Sequence, residues 1–222
     1  VLKRYENKIT EIQEMITALL EKIIVSNQLT LDAFIHDKSD EYDLVKSQLK
    51  TIQSDANAID NEIIKTFALF GPEANELRML VSYLKMTNEI VRIGDGVKKY
   101  ARRMKEHCES ECHLTPLNNT IVQLHKSTIN ALQYLLQCFK EFTICNIDEY
   151  YRKVMVEESK NDDLFAILEK EIMNLIIGEK ELSIEYVKVL GTLRKLERSC
   201  DRSVNIANLM LYAKEGGSIN VY

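Results

Sequence analysis

Apolar side chains return every three or four positions along almost the whole of this chain, and only two prolines and seven glycines interrupt them over 222 residues. A period near 3.6 gathers the apolar set on one face of a helix. So few breakers leave little room for the turns that a β fold needs. The first stripe is Tyr5, Ile9, Ile12, Ile16, Leu19 and Ile23, followed by Leu31 and Phe34. Asp37-Lys38-Ser39-Asp40 interrupts it with N-cap candidates, and a second stripe then runs from Val45 through Leu49, Ile52, Ile59 and Ile63 to Phe70, where Gly71-Pro72 ends it. A third helix is expected from about Glu73 to Glu109, with Leu77, Leu80, Leu84, Ile90, Val97 and Met104 facing inward.

The second half repeats this arrangement. Thr115 caps a fourth helix whose first turn accepts Pro116, because the missing N–H has no helical partner there; its stripe is Leu117, Ile121, Leu124, Leu132, Leu135 and Phe139. A fifth helix starts at Asn146 or Asp148 and stops at Gly178, and a sixth spans about Leu182 to Lys214 before Gly216-Gly217. The expected fold is all-α: six long helices forming two similar three-helix bundles, 1–110 and 114–222. A shift of 106 positions, Asp201 minus Asp95, aligns the third helices of the halves without gaps. It pairs Val81 with Val187, Leu84 with Leu190, Arg92 with Arg198, Ala101 with Ala207 and Met104 with Met210.

Composition narrows the function. A formal charge of −5 gives no broad attraction for nucleic acid, whose binding rests on many Lys and Arg contacts to phosphates. No run of about 18 apolar residues exists to span a bilayer, and the charged first ten residues do not read as a signal peptide, so a cytoplasmic protein with at most peripheral membrane association is expected. The five cysteines, Cys108, Cys112, Cys138, Cys145 and Cys200, are an odd count in a chain large enough to fold without staples, and reduced thiols are expected. The first residue is Val, which leaves open a longer parent chain.

Two segments carry a family resemblance. In the sixth helix Glu197-Arg198-Ser199-Cys200-Asp201 continues as Arg202-Ser203-Val204-Asn205-Ile206-Ala207-Asn208, and in the third helix Val91-Arg92-Ile93-Gly94-Asp95 follows Pro72-Glu73-Ala74-Asn75-Glu76-Leu77-Arg78. Both resemble the PhoU family, in which the third helix of each half carries an acidic Glu-Arg-Ile-Gly-Asp motif. The first copy departs from it, with Val91 in place of Glu. The resemblance implies a signal transduction regulator of phosphate uptake that is not an enzyme and is often a homodimer. It also implies partners, a sensor histidine kinase and the ATPase subunit of a phosphate importer, and iron or another divalent or trivalent metal ion on the acidic motifs.

The residues themselves give that metal a test. Glu197 and Asp201, four apart, project from one helix face, with Asn205 and Asn208 extending the strip. An isolated acidic pair of this kind is ordinarily solvated surface. If the fifth and sixth helices fold back around Gly178, however, Glu157 and Glu158 come level with the pair and Asp162 and Asp163 lie one turn away. The expected ligands are therefore Glu197, Asp201, Glu158 and Asp162. Asp95 is a weaker candidate: the stretch opposite it, Lys46 to Ile52, holds no acid, and Lys99 at i+4 would pair with it.

Other constellations are poorer. His107-Cys108-Glu109-Ser110-Glu111-Cys112-His113 offers zinc-type ligands, but four ligands on one helix end do not readily form a tetrahedron. His36 and His125 lack partners at a recognisable spacing, and no Glu-x-x-His pair of di-iron helices occurs. No glycine-rich phosphate loop is present, so no nucleotide or organic cofactor is expected. The basic run Lys98-Lys99-Tyr100-Ala101-Arg102-Arg103-Met104-Lys105 suits a solvated helix face near a C-terminus, with an acidic partner or lipid head groups as the alternative. Small residues Gly94 and Cys200, equivalent in the two halves, mark close helix approach. Besides a free-standing regulator, two readings stay open: a cytosolic accessory domain of a membrane phosphate or cation carrier, and a metal-storage protein.

Overall fold

The computed structural model describes residues 2–217, and these contain helices and no strand. Helices α1 (Leu2–Ile35), α2 (Glu41–Gln48), α3 (Ile52–Phe70) and α4 (Ala74–Cys108) make the first half. Helices α5 (Asn118–Lys140), α6 (Ile147–Gly178) and α7 (Ser183–Glu215) make the second. Single 3-10 turns at Thr115–Leu117 and Lys180–Leu182 lead into α5 and α7. Taking α2 and α3 as one broken helix, these are the six expected helices. Each half packs as a three-helix bundle, and the halves join along α4 against α7 and α1 against α5. The buried apolar residues form one continuous cluster through both halves.

Two local readings are corrected. The Asp37-Lys38-Ser39-Asp40 stretch serves the end of α1, not the start of α2. Asp37 takes the left-handed conformation at φ 53°, which Asp tolerates, while the Lys38 N–H returns to Ala33 O at 2.9 Å. Asp40 precedes α2 without a side-chain cap. The second helix is also interrupted over 49–51. Val45, Leu49 and Ile52 keep helical spacing through the break, so the apolar stripe carries no sign of it. The interruption is polar: Lys22 Nζ donates to Thr51 Oγ1 (3.0 Å) and Asp55 Oδ2 (2.5 Å), and the Ser54 hydroxyl donates to Thr51 O (2.8 Å). It leaves α2 against the end of α4, where Lys105 Nζ meets Asp43 Oδ2 at 2.7 Å.

Most inward-facing expectations hold, but Leu77, in the first turn of α4, is 43% exposed. Gly94 is a close-approach point. A Cβ there would sit 2.8 Å from Ile52 Cδ1 and 3.3 Å from Ile23 Cδ1, so α4 lies on α1 and α3 at a distance only glycine allows without repacking. Cys200 is fully buried, and burial pushes its thiol far up, which makes it inert. The expectation of five reduced thiols is corrected: Cys138 and Cys145, 5.4 Å apart at Cα across the turn from α5 to α6, form a disulfide, leaving Cys108, Cys112 and Cys200 free.

Polar groups inside the core tie the halves together. His125 of α5 is fully buried, donates from Nε2 to Asn27 Oδ1 of α1 at 3.1 Å and stands edge-on to Tyr100 of α4. Among the described residues its Nδ1 has no partner, and burial pushes its pKa down to about 3. The imidazole is thus neutral in the fold but titrates near pH 6.5 when unfolded. Its contribution is whole above that pH and is lost as pH falls from ~6.5 towards ~3. On acidification from pH 6.5 to 5 the wild type should lose about 1.5–2 kcal/mol more than His125→Gln in urea unfolding; parallel pH profiles would refute this.

Candidate metal centre

The acidic site lies between α6 and α7, and a buried asparagine sets it up. The Asn161 side-chain amide, on α6, donates to Leu124 O (3.1 Å), Ser127 Oγ (2.7 Å) and Thr128 Oγ1 (3.0 Å) of α5. The Thr128 hydroxyl in turn lies 3.2 Å from Leu196 O of α7. With Asn161 turned inward, its neighbours Glu158 and Asp162, four apart on α6, lie on one side of that helix. Facing them from α7 is Asp201, held at the core edge by buried Cys200. One carboxylate oxygen from each of Glu158, Asp162 and Asp201 lies within 4.8 Å of the other two.

Among the described residues no cation touches this cluster: none of the three makes an ion pair within 4.0 Å. All three carboxyls are raised from their ordinary range. Burial is the main cause for Glu158, followed by the charges of Asp162 and Asp201. Burial and Asp163 raise Asp162. Burial and Asp162 raise Asp201, against a smaller downward pull from Arg202 and Arg198. Three oxygen donors from two helices, each resisting ionisation beside the others, suit a hard cation that would relieve the repulsion and complete its shell with water.

The remaining sequence candidates fall around this trio or away from it. Glu197, one turn before Asp201, lies outside the trio. Burial and then Asp201 raise its carboxyl, while Arg194 and Arg198 oppose. Glu157 turns towards α5, where Asn130 Nδ2 donates to its Oε1 at 3.3 Å. Asp95 is not brought to any acid. It pairs at i+3 with Lys98 (2.8 Å), not with Lys99 at i+4, and lines a groove of basic side chains. The histidine and cysteine cluster is dispersed: buried His107 meets Thr192 Oγ1 of α7 at 2.9 Å, Cys108 faces Tyr42 of α2, and Cys112 and His113 lie in the connecting loop. Among the described residues the acidic trio is the one His, Cys, Asp and Glu group close enough to share an ion. Sequence reasoning missed Asn161 as the positioning residue; a lone Asn flanked by Lys160 and Asp162 gives no outward sign of burial.

Tandem three-helix bundles with an acidic cluster between the last two helices define a two-repeat all-helical protein. The profile of the PhoU domain matches residues 16–104 and again 121–210, well over half the chain, and the chain belongs to the PhoU family. Among relatives, the phosphate-specific transport system accessory protein PhoU of Edwardsiella tarda is 26% identical, covering 87% of this chain and 78% of its own length. The protein of the same name from Escherichia coli K12 is 27% identical over the same shares. The crystal structure of PhoU from Pseudomonas aeruginosa superimposes with a TM-score of 0.87 at 22% identity, covering 96% of this chain and 100% of that one. That of the phosphate transport system regulatory protein PhoU from Streptococcus pneumoniae gives 0.78 at 20%, covering 97% and 99%.

The raised carboxyls carry a pH signature. The folded protein holds these protons above the ordinary carboxyl range of about 4, so in metal-free buffer the cluster's penalty is absent below ~pH 4 and grows as pH rises through the folded values. Asp201→Asn should therefore unfold at higher temperature than the wild type at pH 7 in the presence of a chelator, with the gap closing towards pH 4. A variant less stable than wild type at pH 7 would refute the repulsion.

Proposed function

We propose that this chain is a phosphate-transport accessory protein that modulates a phosphate importer and its sensor histidine kinase by protein contact, with a metal ion at the Glu158, Asp162 and Asp201 cluster. Membership of the PhoU family supports the first part, since the named relatives are accessory proteins of phosphate-specific transport systems. The carboxylate trio is the single observation that carries the second. Glu197 would join it as an outer ligand or through water. An iron or similar divalent or trivalent ion bound there would neutralise the cluster and clamp α6 to α7, fixing the surface that partners meet.

On this reading the protein acts by binding and not by catalysis, works in the cytoplasm and pairs as a homodimer. The halves 1–110 and 114–222, the last five residues of which lie outside the described structure, act as one body through the α4–α7 seam. No helix among the described residues is long and apolar enough to cross a membrane. This accords with a partner on the cytoplasmic face of a transporter, and equally with the alternative of an accessory domain of a carrier. The reading of the full reading frame separates the two.

Elemental analysis of protein purified without chelator should find one bound metal per chain in the wild type and in Asp95→Asn, and a loss of more than tenfold in Asp201→Asn and Asp162→Asn. Equal metal in all four would remove the site. For the regulatory role, co-purification of tagged protein with the importer ATPase subunit and the kinase is expected, along with phosphate-insensitive expression of the importer when the gene is deleted. Absence of both would overturn it.

A further inference from the structure

The seam between α4 and α7 opens on one side into a groove of about 280 Å³. Its floor is a close helix contact: a Cβ on Gly96 would lie 3.4 Å from Ser199 Oγ. One wall carries Arg92, Asp95 and Lys99 from α4, and the other Lys195, Arg198 and Arg202 from α7. Arg92 and Arg198 occupy equivalent positions of the two repeats, so the groove sits where like meets like. Five cations face one carboxylate in a chain whose formal charge is −5, which makes this the reverse of the molecule's average surface.

Those cations are only partly answered from within. Asp95 is engaged by Lys98, outside the groove, at 2.8 Å. Arg202 Nη1 donates to Glu89 Oε2 at 2.9 Å, and Arg92 stands 3.9 Å from the other oxygen of the same carboxylate. Lys99, Lys195 and Arg198 have no ion pair within 4.0 Å among the described residues. The charge is felt at Lys195: burial first, then Arg103, Lys99, Arg198 and Arg102, hold its ammonium below the ordinary lysine range. Like charges held together against this cost imply a counter-charge that the described residues do not supply.

We propose that this groove binds a soluble, multiply charged phosphate anion, inorganic phosphate or diphosphate. The volume lies at the lower limit of small-ligand pockets, roughly 300 Å³ and upward, and suits a compact ion. Three guanidinium groups, which chelate oxyanions bidentately, and two ammonium groups as point charges match a tetrahedral centre with several charged oxygens better than one carboxylate. The centre of a protein-docking surface is usually aromatic or apolar. Here the floor is Gly96 and the Ser199 hydroxyl, whose proton is committed to Lys195 O at 2.8 Å. The ion would bridge the two repeats, so its binding would stabilise their junction. This site is separate from the acidic trio and does not depend on metal there.

Calorimetric titration of the full chain with sodium diphosphate, in chelator and at low ionic strength, tests the proposal. Saturable binding with a Kd below about 1 mM, together with a rise in unfolding temperature, is expected. Lys195→Gln and Arg198→Gln should each weaken binding at least tenfold, while Lys65→Gln, an exposed cation of α3 outside the groove, leaves it unchanged. Should a groove variant lose its helical circular dichroism, Lys99→Gln, at an exposed position, supplies the comparison. Absence of binding by the wild type, or binding indifferent to these substitutions, would overturn the proposal. So would equal affinity for sulfate at matched ionic strength, which would mean an undiscriminating field. Retention on phosphatidylglycerol vesicles that needs the same residues, with no response to soluble phosphates, would also overturn it in favour of a lipid headgroup.

Discussion

Everything in this molecule depends on how closely α4 can lie against its neighbours on both sides. Gly94 and Gly96 are two positions apart, which turns them about 200° around the helix axis. Gly94 therefore faces Ile23 and Ile52 of its own bundle while Gly96 faces Ser199 of the other. With Gly94 letting it down onto α1 and α3, and Gly96 at ordinary contact distance from Ser199, α4 becomes the shared wall of two bundles, and the core runs through it without a gap. The buried Glu89 carboxylate, which accepts from Arg202 of α7, locks the same seam with a charged hydrogen bond. Breaking one partner of such a pair costs more than the pair contributes, so the seam specifies register as well as adhesion.

Much of this was legible in residue order. Stripes such as Ile12, Ile16, Leu19 and Ile23 fixed the helices because burying one face is the only way a chain this poor in Pro and Gly can remove its apolar surface from water. Antiparallel return around Gly178 then placed Glu158 and Asp162 opposite Asp201, since a helix rises by the same amount per residue in both directions. The likeness of Asp95 and Asp201 in sequence, by contrast, says nothing of what stands across from each. Ile52 lies at the level of Gly94 where the other half has acids, and that difference separates a cluster from an ordinary ion pair.

What residue order did not show was set by contacts between distant segments or by polar detail. The interruption at 49–51 coincides with contacts of Thr51 and Asp55 to Lys22, on another helix. Pairing of Cys138 with Cys145 depends on the shape of the α5–α6 turn, whereas a count of five cysteines argued only about their environment. Of the basic groove, the run beginning at Lys98 contributes only Lys99, and Arg92 lies about two turns before it. The other half of the groove, Lys195, Arg198 and Arg202, lies about a hundred residues away and reads alone as solvated charge on a helix.

About two turns of α7, from Lys195 to Arg202, carry Asp201 and Glu197 towards α6 and Lys195, Arg198 and Arg202 towards α4. The helix is thus polarised across its width as well as along its length. Opposite charges separated by about one helix diameter, 10 Å, interact by on the order of 1 kcal/mol per unit pair at an intermediate dielectric. Whatever alters the charge on one flank of this rod shifts the electrical potential on the other without moving an atom.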